Sequence, residues 1–252
     1  MSDFFWFSDE QWARIEPLLP TDTRGMARVD DRRVLSGIVH ALKNGGRWTD
    51  CPREVYGPKK TLYNRFVRWA ERGVWEDIFA ALAGAEDVPG RVFIDSTCIK
   101  VHRCAGGGKG GPLAHGIGIT KGGRNTKLHA VCDGHGRPLV MMLTPGNVHD
   151  CKVAEACLTA LPPTAHLVAD KGYDSQKLRE WLEDRGTEPV IPPRSNRKVQ
   201  YAYDKAIYRE RNVIERMFCR LKDWRRIATR FDRNITNFMA AIALAAAVIW
   251  WL

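Results

Sequence analysis

Apolar residues follow two rhythms along this chain, and the rhythm changes near residue 90. Before that point they recur at helical spacing. In "RRVLSGIVHALKNGG", Val34, Leu35, Ile38, Val39 and Leu42 share one face, and the run stops at Gly45-Gly46, which predicts a glycine-terminated helix. "SDEQWARIEPLL" predicts a short helix over 8–19, with Ser8 as N-cap and an acidic first turn. "KKTLYNRFVRWAERG" predicts another, with Leu62, Phe66 and Trp69 on its apolar face, Pro58 at its start and Gly73 at its end. Polar and turn-rich stretches, "PTDTRGMARVDD" and "RWTDCPREVYGP", separate these helices.

Around "AGAEDVPG" (83–90) the pattern shifts to short buried runs. "RVFIDSTCIKV" reads as a strand, and "TKLHAVCDGHGRPLVMMLTPGN" as two more around a "DGHG" turn. Between them lies "AGGGKGGPLAHGIGITKGGRN" (105–125), with nine Gly in 21 residues. It lacks the Gly-Lys-Ser/Thr of a nucleotide-binding loop and reads as a long loop. A helix over 150–160, the strand "AHLVAD", the helix "DSQKLREWLEDRG" and the short strand "EPVIPP" follow. From Arg194 to the end, 59 residues hold no Gly or Pro, so helices are expected to dominate there. Three strands, helix, strand, helix, strand, helix is the order of a ribonuclease H-like α/β fold. The expectation is a mixed five-stranded sheet flanked by helices over 86–252, preceded by an all-α, helix-turn-helix-like domain over 1–85.

Charge adds a direction to this outline. The 252 residues carry a net charge of +10, but residues 1–88 hold 13 Lys/Arg against 14 Asp/Glu, and residues 194–233 hold 13 against 5. A basic excess concentrated in one segment points to a polyanionic partner. In the third predicted helix, Lys59, Lys60, Thr61, Tyr63, Asn64, Arg65 and Arg68 lie largely off the apolar face. That pattern suits a DNA-reading helix; a small helical bundle with an ordinary solvated face has it too.

The seven cysteines form no CxxC pair and follow no signal peptide, which predicts reduced thiols in a cytoplasmic protein. His102, Cys104, Cys132, His135, His149 and Cys151 show no repeated ligand spacing, which argues against zinc. The apolar run "MAAIALAAAVIWWL" is 14 residues long, short for a membrane span and more simply a buried core helix.

Three acids stand where chemistry would want them. Asp95 ends the apolar run "VFID" and Asp170 ends "LVAD", so each is expected at or near the end of a core strand. Desolvating a carboxylate there costs stability unless it has a partner. Asp170 capping the next turn is the structural alternative. In "YRERNVIERMFCRLKDW" (208–224), helical geometry of about 100° per residue puts Tyr208, Arg211, Glu215 and Lys222 within an arc of roughly 60°. Val213, Ile214, Met217, Phe218, Leu221 and Trp224 take the other side. By itself Glu215 reads as an i,i+4 partner of Arg211, worth about 0.3–0.5 kcal/mol. With Asp95 and Asp170 it completes an oxygen-donor set for hard divalent cations.

These residues resemble the DDE transposases of bacterial insertion sequences, a group with a ribonuclease H-like catalytic core. "IDST" matches the context of the first acid, and "ADKGYDS" matches the family's Asp-x-Gly-x-Tyr/Phe element at Asp170, Gly172 and Tyr173. Tyr208, Arg211, Glu215 and Lys222 reproduce a Tyr-x2-Arg-x3-Glu-x6-Lys signature without a gap. "GGRNTKLHAVCDGHGRPL" and "TPGNVHD" are similar to the compact family-five elements, and the resemblance covers essentially the whole chain. It implies that Asp95, Asp170 and Glu215 are catalytic and bind two Mg²⁺ ions, with Mn²⁺ as an alternative. It implies that Lys222 contacts DNA near the transposon end and that Tyr208 and Arg211 position phosphates or Glu215. Lys59, Lys60, Arg65 and Arg68 become the expected DNA contacts of the N-terminal domain. The implied partners are double-stranded terminal inverted repeats and target DNA, bound by a homodimer or larger assembly, with no membrane involved. The 45 residues from Asp170 to Glu215 leave no room for a large inserted domain. A nuclease without strand transfer, or an inactive DNA-binding copy, are the alternatives. His149 and Asp150 follow a predicted turn near the core and are further candidates.

Overall fold

A computed structural model of the chain describes residues 4–21, 28, 30–84 and 89–252. The expected boundary at 85/86 and much of the polar stretch 20–31 lie outside the described residues. The helices of the first part are α1 (Asp9–Ile15), α2 (Asp31–Asn44), α3 (Arg53–Tyr56), α4 (Lys59–Glu71) and α5 (Val74–Ala83). Then come β1 (Arg91–Val101), α6 (Gly111–Ala114), β2 (Gly118–Thr120), β3 (Gly123–Cys132), β4 (Pro138–Pro145) and α7 (Cys151–Thr159). The chain continues through β5 (His166–Val168), α8 (Gln176–Asp184), β6 (Glu188–Val190), α9 (Lys205–Tyr208), α10 (Asn212–Lys222), α11 (Arg225–Ala228), β7 (Thr229–Arg230) and α12 (Ile235–Trp250).

Contacts divide the chain into two compact units. The first gathers residues 1–85, 102–108 and 221–252; the second gathers 86–101 and 109–220. In the first unit local sequence sets each helix boundary. Ser8 caps α1 reciprocally with Gln11, and Gly45 ends α2 in the left-handed conformation (φ 75°), where a side chain would be strained. Trp75 of α5 is fully buried and donates from its indole to the Phe66 carbonyl of α4 (3.0 Å). α12 packs against α5, α4 and α2, with Ala240 through Ala247 inaccessible to solvent. The apolar run is therefore a core helix, and among the described residues no helix is long and apolar enough to cross a membrane. Small alanines let its backbone approach its neighbours closely.

The second unit is built on a mixed sheet in the order β2-β3-β1-β5-β6, with β4 also pairing with β3. β1, β3 and β4 are antiparallel neighbours, whereas β1, β5 and β6 are parallel. The five expected strands are β1, β3, β4, β5 and β6. The glycine-rich stretch is not one open loop: it folds into a 3-10 turn, α6 and the short β2. α7 and α8 cover a core that includes Val92, Ile94, Leu167, Leu178 and Leu182. Burying Leu178 and Leu182 contributes about 1.5–3 kcal/mol each.

Two local expectations are corrected. Residues 194–204, within the segment expected to be helical, hold neither helix nor strand. Tyr208 and Arg211 do not lie on one unbroken helix with Glu215, because a 3-10 turn (Arg209–Arg211) separates α9 from α10. A helix that changes pitch defeats a single 100° rotation.

Candidate active site

Sheet register brings two of the three acids to one level. The last parallel pair of β1 and β5 is Phe93 with Val168, and Asp95 and Asp170 each lie two residues beyond it. β1 runs on past Asp95, as the reading of "RVFIDSTCIKV" as one strand expected, so Asp95 lies within the strand rather than at its end, at the point where parallel pairing with β5 stops while antiparallel pairing with β3 continues. Asp170 follows β5 and caps a 3-10 turn over Lys171–Tyr173, its Oδ1 accepting from the Gly172 N–H (2.7 Å). The capping alternative thus holds for that one oxygen.

Gly172 is there for steric reasons. A Cβ on it would fall 2.7 Å from Asp170 Oδ1 and 3.5 Å from its Cγ. Gly172→Ala is therefore expected to push the carboxylate aside and slow strand cleavage by about 10–10² -fold, on the scale of a 1 Å misplacement. Single-turnover cleavage of a labelled end, with end binding measured in parallel, checks this.

The third acid comes from α10. Val213, Ile214, Met217 and Phe218 bury its apolar face, and Gly136 of the β3–β4 turn leaves room for Val213 and Met217. Glu215 lies on the opposite, exposed side. Arg211 joins it to the sheet: its Nη1 donates to Asp95 Oδ2 (2.9 Å), and its Nη2 donates to Glu215 Oε1. The expected i,i+4 pair is present, but the same guanidinium also holds a residue 116 positions away. No local pattern predicts that second contact.

The electrostatics follow from this packing. Burial raises the Asp95 carboxyl above the ordinary carboxylate value; the negative charge of Asp170 adds to the effect, and the Ser96 N–H and Arg211 only partly offset it. Burial also works against charge on Arg211, yet the carboxylates of Asp95 and Glu215 outweigh it and raise its pKa. Burial raises the Tyr208 phenol as well. Among the described residues no group of three His, Cys, Asp or Glu side chains is placed to hold a metal ion. The donor chemistry nonetheless suits a hard divalent cation: Asp95 is a carboxylate whose charge burial and Asp170 both disfavour, and it already takes a cation from Arg211.

A polar network lies beside the acids. Asp150 Oδ1 accepts from Ser96 Oγ (2.7 Å) and Lys127 Nζ (2.9 Å), which ties the start of α7 to β1 and β3. Burial pushes the Asp150 carboxyl up, but these hydrogen bonds prevail and hold it below the ordinary value. Of the two flanking candidates, Asp150 is the one bonded to the residue next to Asp95. Ser96 and Lys127 carried no sequence signal beyond their neighbourhood. Tyr173, with its hydroxyl buried, packs in the core.

In the helical unit, the expected DNA-contacting set loses a member. Lys59, Lys60 and Arg68 are exposed on α4, but Arg65 is only 6% exposed. Its guanidinium pairs with Asp31 and stacks 4.9 Å from the Trp69 ring centre, so it serves the core.

Residues 87–250 match the family model described as the transposase DDE domain. Residues 7–79 match a model for transposases of the IS4/5 family. Over 129 residues the chain is 40% identical to a Brucella ovis protein assigned as the transposase of insertion sequence element IS6501, a match spanning 50% of this chain and 97% of that protein. It is 34% identical over 137 residues to one assigned to IS402 of Burkholderia cepacia, spanning 50% of this chain and 63% of that protein. Among solved structures, the piggyBac transposase synaptic complex with hairpin DNA has a similar fold, with a TM-score of 0.57 at 11% identity, covering 96% of this chain and 72% of that one.

Proposed function

This chain belongs to the DDE-domain transposases, and we propose that it binds the terminal inverted repeats of an insertion element, cuts at their ends and joins the freed 3′-OH ends to target DNA. The observation that supports the reading is Arg211 bridging Glu215 and Asp95, a carboxylate that also feels the charge of Asp170. The reaction is two successive displacements at phosphorus. Water first displaces the 3′ oxygen at the element's end, and that 3′-OH then displaces a 3′ oxygen in the target strand.

Asp95, Asp170 and Glu215 would hold two Mg²⁺ ions, with Mn²⁺ as a substitute; bound there, the metal supplies Lewis-acid stabilisation of the attacking and leaving oxygens. The chain's other residues bind and orient. Arg211 offers a forked donor that can pass from carboxylate to phosphate without loss of charge. Tyr208 precedes it by three residues and presents a phenol to the same backbone. Lys222, two turns beyond Glu215 on α10, meets a neighbouring phosphate near the end. Lys59, Lys60 and Arg68 of α4 supply contacts to the terminal repeats from a domain over 1–85, with catalysis assigned to 86–252. Synapsis of two ends requires a homodimer or larger assembly on DNA, acting in the cytoplasm.

A labelled end duplex incubated with plasmid target and Mg²⁺ tests the proposal, and both cleaved and joined products are expected. Cutting without joining would make the protein a nuclease, and binding without either an inactive copy. Lys222→Ala is expected to weaken end binding evenly across sequences and to lower the slope of log affinity against log salt by about 1. Filter binding over a salt series reads that slope.

A further inference from the structure

The turn that carries Asp170 has little regular structure of its own. β5 stops at Val168, a single 3-10 turn follows, and α8 begins at Gln176. It is held instead from outside, by a residue far along the chain. Arg194 donates from Nε to the Lys171 carbonyl (3.1 Å) and from Nη2 to the Gly172 carbonyl (3.1 Å). Its own backbone N–H donates to Asp174 Oδ2 (2.9 Å). The Gly172 carbonyl also accepts from the Cys151 thiol (2.9 Å).

The far side of the turn is fixed just as firmly. Asp174 is buried and accepts from Arg179 (3.0 Å) and Arg197 (2.9 Å). Arg179 in turn donates to the Ile191 carbonyl (2.8 Å), and Arg197 donates to Gln176 (3.2 Å). Arg194 itself is exposed and sits in the stretch 191–204, which has neither helix nor strand. An exposed arginine that turns one edge of its guanidinium, Nε and Nη2, onto consecutive backbone carbonyls is not filling a core. It is fastening a turn, and that turn presents Asp170.

We propose that Arg194 is a positioning residue for Asp170: its guanidinium straddles the Lys171 and Gly172 carbonyls and fixes the turn from which the Asp170 carboxylate projects. The proposal rests on the assignment of Asp170 to the active site. Arg194 acts on Asp170 through the backbone of the turn. The segment it anchors also leads into α9 and α10, so one side chain sets both the second acid and the path to the third.

The planar fork is what separates this role from a phosphate contact. A lysine keeps the charge for DNA but cannot straddle two carbonyls with fixed geometry. The test compares wild-type full-length protein with Arg194→Lys, Arg194→Met and Asp170→Asn. Three readouts are taken: single-turnover cleavage of a pre-bound labelled end, end-binding affinity, and hydrogen exchange of peptides over 169–175 in metal-free protein. Both Arg194 variants are expected to cleave about 10–10² -fold more slowly, to bind ends within twofold of wild type, and to exchange faster over 169–175 while the sheet strands stay protected. Wild-type cleavage by Arg194→Lys, or exchange over 169–175 unchanged in both variants, overturns the proposal. A loss confined to end binding, and restored by lysine, overturns it in favour of a phosphate contact. If a variant loses protection throughout the sheet, Arg194 is holding the fold and the proposal also falls. Activity in Asp170→Asn would instead remove the site assignment beneath it, an outcome distinct from each of these.

Discussion

Glu215→Gln is expected to abolish cleavage and joining, with the single-turnover rate falling by about 10³-fold or more, the scale on which losing a principal electrostatic contributor is felt. The fold is expected to survive the change almost untouched. Glu215 is exposed on the polar side of α10, and its side chain keeps about half of its accessible surface (53%). The apolar face of that helix, with Ile214 and Met217 buried, does not depend on it. The exposed i,i+4 pair with Arg211 contributes only about 0.3–0.5 kcal/mol. Arg211 keeps its bond to Asp95 when Glu215 is neutral. The variant should therefore melt within a degree or two of wild type and bind ends normally. Cleavage and joining at wild-type rate by a folded Glu215→Gln protein would remove Glu215 from the reaction.

Stability of the fold is expected to decline as pH falls from about 6.5 to about 4, with His129 accounting for a share on the order of 3 kcal/mol. The ring is 1% exposed, and Nε2 is bonded to Thr144 Oγ1 (2.8 Å). Burial lowers its pKa from 6.5 to about 4; the Asp150 carboxylate 3.8 Å away works against that lowering and Lys127 works with it. The folded protein therefore keeps His129 neutral over a range in which the unfolded chain takes up a proton. Between those two values the unfolded state binds more protons, so acidification favours it. The contribution is whole above the unfolded value and gone below the folded one. Urea denaturation at pH 7.5 and at pH 4.5 gives the difference, and His129→Gln should flatten it whatever the variant's stability at pH 7.5. An equally steep pH dependence in the variant would assign the loss to other groups.

The parts of this molecule legible in its sequence are those decided within a few residues. The apolar face of α10 follows from helical period, and the Arg211–Glu215 pair from i,i+4 spacing. Asp170 beside a glycine is a local event too, since the glycine's missing Cβ is what leaves room for the carboxylate. What the sequence could not convey depends on distant partners. Arg65 has the spacing of a solvent-facing residue on α4, and only Asp31 and Trp69 explain why it turns inward. Arg194 lies in a stretch with no periodicity, yet it bonds two carbonyls more than twenty positions back. β2 is too short to leave a period, and it forms because β3 offers it an edge. The helix α5 follows α4 after a single turn at Gly73, and the residues between were too few to mark it off. The interruption between α9 and α10 has no glycine or proline to announce it.

The core of the helical unit draws α12, at 235–250, against helices that lie within the first 83 residues. At about 5–20 residues per second a ribosome makes α12 roughly ten to thirty seconds after α5, and everything between must emerge first. The early helices therefore leave the exit tunnel with their apolar faces uncovered, and they stay so until nearly 250 residues have been made. A product broken off by a premature stop would lack the helix that seals them. Such fragments should be cleared as misfolded chains.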